Sequence, residues 1–310
     1  MSATPEGAPL RSWLFVPGDS ERKQVKALGS GADVLILDLE DSVALAQRPA
    51  ARQQAARLLA AGSALAGPQL WVRTSAPHGE GLAQDLEAVC AGPLPAGLVL
   101  PKVSEAGQIS ALAENLAVLE RARGAGTPPV RLLALVTETA AGLLALPQYP
   151  ILLAASAATR ARLQGLTWGA EDLSADLGAR ARRDAAGAYT FTFQLARTTC
   201  LLAARALGVQ AIDTVHTEFK DAAALARELA EARRDGFSGK LAIHPDQVAP
   251  INTAFSPSAA DEEHARRVLA AFAAAGNAGV ASLEGQMIDR PHLVHAERVL
   301  AAARARAGKP

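Results

Sequence analysis

Eight short runs rich in Val, Ile and Leu recur along the chain, each followed by a stretch patterned for an α-helix. This alternation constrains the fold more than any other feature of the sequence. The runs are Ser12–Pro17, Val34–Glu40, Leu70–Thr74, Gly97–Val103, Arg131–Glu138, Gly165–Ala170, Ile212–Thr217 and Lys240–His244. Near-continuous apolar strands separated by helices belong to parallel sheets, because parallel neighbours need a crossover of helix length. Eight such units over about 240 residues match the count and length of an α/β protein of the (β/α)8 or TIM barrel type. The connecting helices are Ala-rich and amphipathic: in Ala222–Arg234, Leu225 and Leu229 lie one turn apart while Arg227, Glu228, Glu231 and Arg233 face elsewhere. Beyond Pro257 the pattern changes to a helix (Asp261–Ala275), a Gly-containing loop (Gly276–Gly285) and a last helix from about Pro291 to Ala307. The expected organisation is a flexible N-terminus (1–10), a barrel domain (11–257) and a C-terminal helical extension or lid (258–310). Neither an internal repeat nor a low-complexity linker divides the barrel.

Composition narrows the partners. The 310 residues carry 31 basic and 31 acidic side chains, so the phosphate-neutralising force of nucleic-acid or anionic-membrane binding is missing. Aromatic residues are only 4%, too few for a base-stacking platform. These features predict a small-molecule partner, with no nucleic acid and no membrane. Cys90 and Cys200, the two cysteines, are far apart and read as buried small apolar residues in a reducing compartment. Met1–Pro9 has neither the basic region nor the apolar run of a signal peptide, which predicts a cytoplasmic protein. The uncharged run Thr139–Thr159 is broken at its centre by Pro147, Gln148, Tyr149 and Pro150, and reads as two short elements joined by a turn rather than a membrane helix. Gly236-Phe-Ser-Gly239-Lys240 has glycine spacing too short for a phosphate loop, and no GxGxxG motif follows a strand.

In such a barrel the active site forms at the carboxyl ends of the strands, so polar residues that close an apolar run are the candidates. Asp38, Glu40 and Asp41 close the second run, Arg73 lies in the third, Lys102 closes the fourth, Glu138 closes the fifth, and Glu171 and Asp172 follow the sixth. Any one of these acids reads equally as a helix N-cap. Several acids and two cations converging on one mouth are costly to bury without a metal or charged ligand. Glu138 and Asp172 would hang from adjacent strands, and two hard oxygen donors suit Mg²⁺ better than zinc. His292 and His295, at i, i+3 on a tail helix, read as solvated or packing residues in the absence of HExxH or CxxC. His244, after the eighth strand, has an active-site address or orients a loop.

Arg11-Ser-Trp-Leu-Phe-Val-Pro-Gly18, Asp38-Leu-Glu-Asp41, Leu100-Pro-Lys102, Glu138-Thr-Ala-Ala-Gly142, Gly169-Ala-Glu-Asp172 and Ile243-His-Pro245 together resemble the citrate lyase beta subunit family. That family is part of the HpcH/HpaI aldolase group in the phosphoenolpyruvate/pyruvate barrel superfamily. The resemblance implies a carbon–carbon lyase of malyl-CoA, citramalyl-CoA or citryl-thioester type, which cleaves a carboxylated 3-hydroxyacyl thioester to an acyl thioester and a 2-oxo acid. It implies Mg²⁺ on Glu138 and Asp172, and Arg73 on the substrate carboxylate or thioester oxygen, with Lys102 and Glu138 completing the substrate site. Gly285-Gln-Met-Ile-Asp289 resembles the tail segment that carries an aspartate over a neighbouring subunit's site. Asp289 is then the acid/base, Asp38, Glu40 and Asp41 are the reserve, and a homotrimer is implied; the plainer alternative is that Asp289 caps the helix starting at Pro291. Two other readings stay open. One is a class II aldolase of free 4-hydroxy-2-oxo acids, and the other is a citrate lyase subunit that acts only in a multi-chain complex on an acyl-carrier thioester.

Overall fold

The computed structural model describes residues 9–62, 67–124, 126–276 and 279–307. Residues 1–8 of the expected N-terminal segment lie outside them. The chain divides into two compact units, one spanning Leu10–Asn252 and one containing the chain from Thr253 onward.

In the first unit β1 (Ser12–Pro17), β2 (Val34–Asp38), β3 (Gln69–Arg73), β4 (Gly97–Leu100), β5 (Arg131–Leu135), β6 (Leu163–Thr167), β7 (Gln210–Asp213) and β8 (Gly239–Ala242) form a closed barrel in sequence order. All eight pairings are parallel, and Ser12–Leu14 on Lys240–Ala242 closes the ring. Trp13, Val34, Ile36, Trp71, Val99, Leu133, Leu135, Ile212 and Leu241 join in one buried cluster. Residues from seven strands can meet only in the lumen, which is therefore a packed core. Trp13 and Trp71 pack edge to face there with centroids 4.8 Å apart. Their N–H groups donate to Leu10 O and Gln69 Oε1. Gly97 makes room for them, since a Cβ there would stand 2.5 Å from Trp71 ring carbons.

Most strands end earlier than the apolar runs suggest. The trailing residues leave the strand geometry, yet single backbone bonds still tie them to the next strand: Leu39 N to Arg73 O (3.0 Å), Thr74 N to Val99 O (3.1 Å), Val103 N to Leu135 O (3.1 Å) and Val136 N to Thr167 O (3.1 Å). These half-attached ends carry the charged residues of the mouth. The Thr139–Thr159 region breaks into short helices at Ala140–Ala145, Tyr149–Ala155 and Ala157–Arg162, with a 3₁₀ turn at Leu146–Gln148. Among the described residues no helix is long and apolar enough to cross a membrane.

The C-terminal unit differs from expectation in one element. Its helices, Ala259–Ala274 and Arg290–Ala307, flank a hairpin of β9 (Val280–Leu283) and β10 (Gln286–Asp289) where a loop to Gly285 was expected. Glu284 and Gly285 turn the chain with φ of +52° and +79°, the left-handed pair of a two-residue hairpin turn. Ala281 and Ile288 point one from each strand into a small core with Val268, Phe272 and Leu300. The extension is thus helical with a β-hairpin between its helices.

Candidate active site

The centre of the mouth is an arginine held by acids from the neighbouring strand end. Arg73, last residue of β3, donates from Nε to Asp38 Oδ1 and from Nη2 to Asp38 Oδ2, both at 2.7 Å. Its Nη1 lies 3.1 Å from Glu40 Oε2 and 3.7 Å from Asp41 Oδ2, and the guanidinium covers the Phe15 ring at 4.8 Å. Register explains the pairing, because Asp38 and Arg73 are direct partners across the β2–β3 ladder.

Asp38 also accepts from the N–H groups of Glu40 (3.0 Å) and Ser42 (3.1 Å). Burial pushes its carboxyl up, but Arg73 and these N–H groups outweigh burial and hold it below the usual range. For Arg73 burial favours loss of the proton, and Asp38, Glu40 and Glu138 more than reverse that, so the guanidinium stays charged. Glu40 is raised, chiefly by burial.

Lys102, just past β4, has φ of +51°, a region a residue with a Cβ seldom occupies. Its Nζ lies 2.7 Å from Glu40 Oε1, 3.0 Å from Asp41 Oδ2 and 3.4 Å from Asp172 Oδ1. Burial works against its charge, and the hydrogen bond and charge of Glu40, with Asp41 and Asp172, raise it above the ordinary lysine value. The Lys102 backbone N–H donates to Glu138 Oε2.

Glu138 is 2% exposed. Burial, then the negative charge of Asp172, push its carboxyl well above the usual range. Gly169 is fitted against it: a Cβ there would stand 2.6 Å from Glu138 Cγ. Asp172 sits in the first turn of the helix Ala170–Leu177, whose N-cap is Gly169. Among the described residues no three His, Cys, Asp or Glu side chains form a metal cage by themselves. A buried carboxylate held by one N–H and crowded by a second carboxylate is nevertheless the hard-oxygen pair an Mg²⁺-type ion takes when ligand and water oxygens complete its shell.

The structure brings Asp38, Glu40, Asp41, Arg73, Lys102, Glu138 and Asp172 into one connected cluster. Asp289 lies in the C-terminal unit at the end of β10, where its Oδ1 is 2.6 Å from His292 Nδ1. The carboxylate thus pairs with a side chain, and His292, about half exposed, is a solvated histidine that also has a carboxylate partner. His295 lines, with His264, a cavity of about 400 Å³ between the two helices of that unit. His244 accepts from the Asp246 N–H (3.3 Å) and stacks on Phe219 at 4.9 Å, which is a loop-orienting arrangement.

Sequence reasoning missed a second buried charge cluster at β7 and β8. Lys240 Nζ lies 3.0 Å from Asp213 Oδ2 and 3.2 Å from Glu228 Oε2. Asp213 Oδ1 accepts from Trp168 Nε1 (2.8 Å) and Arg197 Nε (3.2 Å). Lys240 follows a glycine within an apolar run, and only barrel closure onto β7 reveals its partner.

The HpcH/HpaI aldolase/citrate lyase family model matches residues 11–245. The citrate lyase subunit beta-like protein of Mycobacterium tuberculosis (strain ATCC 25618 / H37Rv) is 39% identical over 290 residues, 93% of each chain. A (3S)-malyl-CoA thioesterase of Cereibacter sphaeroides (strain ATCC 17023) is 37% identical over 299 residues, 96% of this chain and 95% of its own. The mitochondrial citramalyl-CoA lyase of Homo sapiens is 32% identical, over 95% of this chain and 86% of its own. A crystal structure of CitE from Mycobacterium tuberculosis, in complex with magnesium, acetoacetate and coenzyme A, superposes with a TM-score of 0.76 at 38% identity, covering 96% of this chain and 98% of that one.

Proposed function

From the premise that the chain belongs to the HpcH/HpaI aldolase/citrate lyase family, we propose that it is a Mg²⁺-dependent carbon–carbon lyase. Its substrate would be a carboxylated 3-hydroxyacyl-CoA thioester, cleaved reversibly to an acetyl-CoA-type thioester and a 2-oxo acid. The observation that carries this reading is the Asp38–Arg73 fork set beside the Glu138, Asp172 and Lys102 cluster at the strand ends. Magnesium and coenzyme A in the CitE complex support it.

Glu138 and Asp172 would hold the metal, which when bound supplies Lewis-acid polarisation of the oxygen on the bond to be broken. Cleavage leaves the thioester fragment as an enolate, whose oxygen needs a fixed cation. Arg73 provides one. Its hydrogen bonds to Asp38 use Nε and one Nη2 hydrogen, while Nη1 faces Glu40 and Asp41 as an ion pair, so the second Nη2 hydrogen is left for substrate. Asp38, with four donors on its two oxygens, serves to hold Arg73 in plane. Lys102 faces the substrate carboxylate. Asp289 gives or takes the proton at the enolate carbon, with His292 orienting its carboxylate, and Glu40 and Asp41 are the reserve.

Asp289 reaches the mouth of a neighbouring chain in a homo-oligomer, a trimer on the family pattern. The exposed Leu144, Ile151, Leu152, Phe191, Leu195 and Leu202 support association, five of them lying on two barrel helices that pack together, since exposed apolar surface marks contact sites. A cytoplasmic location is part of this reading.

A second reading, hydrolysis of the thioester, is favoured by the relative named malyl-CoA thioesterase. Incubation of the purified chain with Mg²⁺ and malyl-, citramalyl- or citryl-CoA distinguishes them. A lyase releases oxo acid with the thioester intact, a thioesterase releases free thiol without oxo acid, and an aldolase of free acids turns over 4-hydroxy-2-oxo acids with no thioester at all. Oxo-acid release only after addition of an acyl-carrier partner would identify a subunit of a larger lyase.

A further inference from the structure

Lys102 touches both carboxylates assigned to the metal, and does so with opposite ends of the residue. Its backbone N–H is turned onto Glu138 Oε2 by a left-handed φ of +51°. Its ammonium reaches Asp172 Oδ1 at 3.4 Å while also contacting Glu40 at 2.7 Å and Asp41 at 3.0 Å. A strained backbone of this kind persists only where its surroundings over-determine it. Here the N–H bond to Glu138 and three ion pairs do so.

We propose that Lys102 is an internal counter-ion that stands in for the divalent cation: it neutralises Asp172 while the metal is away and is displaced from Asp172 when the metal enters. The inference rests on the reading that Glu138 and Asp172 hold Mg²⁺. Of the three ion pairs, the one to Asp172 is the longest, so it is the contact surrendered most easily. Glu40 and Asp41 keep the ammonium at the mouth after the exchange. Metal entry is thus a swap of cations on Asp172, and the displaced ammonium then presents its charge to an incoming carboxylate. Lys102 thus offsets one carboxylate charge of the acidic mouth when no divalent cation is bound, at the expense of metal affinity.

Calorimetric titration with Mg²⁺ at fixed pH, without substrate, tests this in the full-length chain. Lys102→Met and Lys102→Gln should bind Mg²⁺ about tenfold more tightly than the parent, because a unit charge a few ångströms from the site no longer opposes the ion. Lys102→Arg, which retains the charge, should stay within about twofold of the parent. Near-UV circular dichroism establishes that each variant is folded, and the glutamine variant stands in if the methionine one is not. Unchanged or weaker binding in a folded neutral variant overturns the proposal. Asp172→Asn separates the two readings: if it binds Mg²⁺ as the parent does, the metal assignment itself has failed and the counter-ion role falls with it.

Discussion

Arg73 carries its positive charge on a side chain whose orientation is set by another residue, and the two contributions can be separated. Arg73→Lys keeps a charge but loses the planar fork, and removal of one preorganised oxyanion contact costs about 10²-fold in kcat. Asp38→Asn should lower kcat by about tenfold or more with little change in KM, because it loosens the guanidinium without removing it. Steady-state kinetics checks both: an unaltered kcat in Arg73→Lys removes Arg73 from the reacting centre, and an unaltered kcat in Asp38→Asn removes Asp38 as its orienting partner. Gly169 gives a different kind of test. Gly169→Ala places a methyl against Glu138, so it should abolish Mg²⁺ binding by calorimetry while the thermal midpoint moves by only a few degrees. At this scale the charged residues of the mouth were legible, because each lies at or just past the end of an apolar run. The positive φ of Lys102 was not legible, since nothing in Leu-Pro-Lys specifies it. Gly169 could be seen as part of a motif, while its contact with Glu138 depends on how β5 and β6 are set side by side.

The pairing of β7 with β8 places Asp213 opposite Lys240, and their side chains are 4% and 1% exposed. Removing Lys240 takes the shared cation from two buried carboxylates, Asp213 and Glu228, at a cost of about 3 kcal/mol. Lys240→Met should lower stability in urea by about that amount at pH 7. Burial raises the Asp213 carboxyl, and Lys240, Arg197 and the Trp168 N–H together pull it below its ordinary value of 3.8. A depressed carboxyl stabilises the fold fully above that ordinary value, and the contribution fades as pH falls through the lower folded value. Urea midpoints should therefore converge for the parent and Asp213→Asn between pH 4 and more acidic solution, whereas a constant gap would show that Asp213 is not ionised in the fold. The strands themselves were legible from Val, Ile and Leu content, but their ends were not, because the trailing residues keep single ladder bonds without strand geometry. The hairpin in the C-terminal unit was hidden by its short strands and by the glycine that reads as a loop signal. The alternation of buried Ala281 and Ile288 with exposed Val280 and Met287 was there to be found.

The whole molecule consists of a barrel unit that holds the fork and the carboxylate pair, and a C-terminal unit that holds Asp289. If Asp289 acts on a neighbouring chain, a chain cut after Pro257 should bind Mg²⁺ and lose most thioester cleavage. Hybrids of Asp289→Ala chains with Glu138→Ala chains should regain part of the activity that neither has alone, since an intact mouth can borrow an intact tail. Mixed oligomers verified by mass spectrometry that show no rescue would place Asp289 on its own chain's site or outside the chemistry. The barrel architecture was legible from eight occurrences of one strand–helix pattern, whereas the proposed division of labour between the units came from the resemblance, because the tail sequence alone is compatible with a helix cap.

The three tryptophans are all fully buried, two of them edge to face in the lumen and the third one residue before Gly169. This arrangement makes the chain its own optical instrument. Transition dipoles set 4.8 Å apart at 75° should give Trp13 and Trp71 an exciton couplet in circular dichroism that is lost when the barrel opens. Trp168, edge-on to Tyr189 at 5.1 Å and bonded to Asp213, stands beside Gly169, so its emission should respond to changes in the segment that leads to Asp172. A variant that has lost the couplet has lost the barrel, and one that keeps the couplet but no longer changes its emission when Mg²⁺ is added has lost only the site.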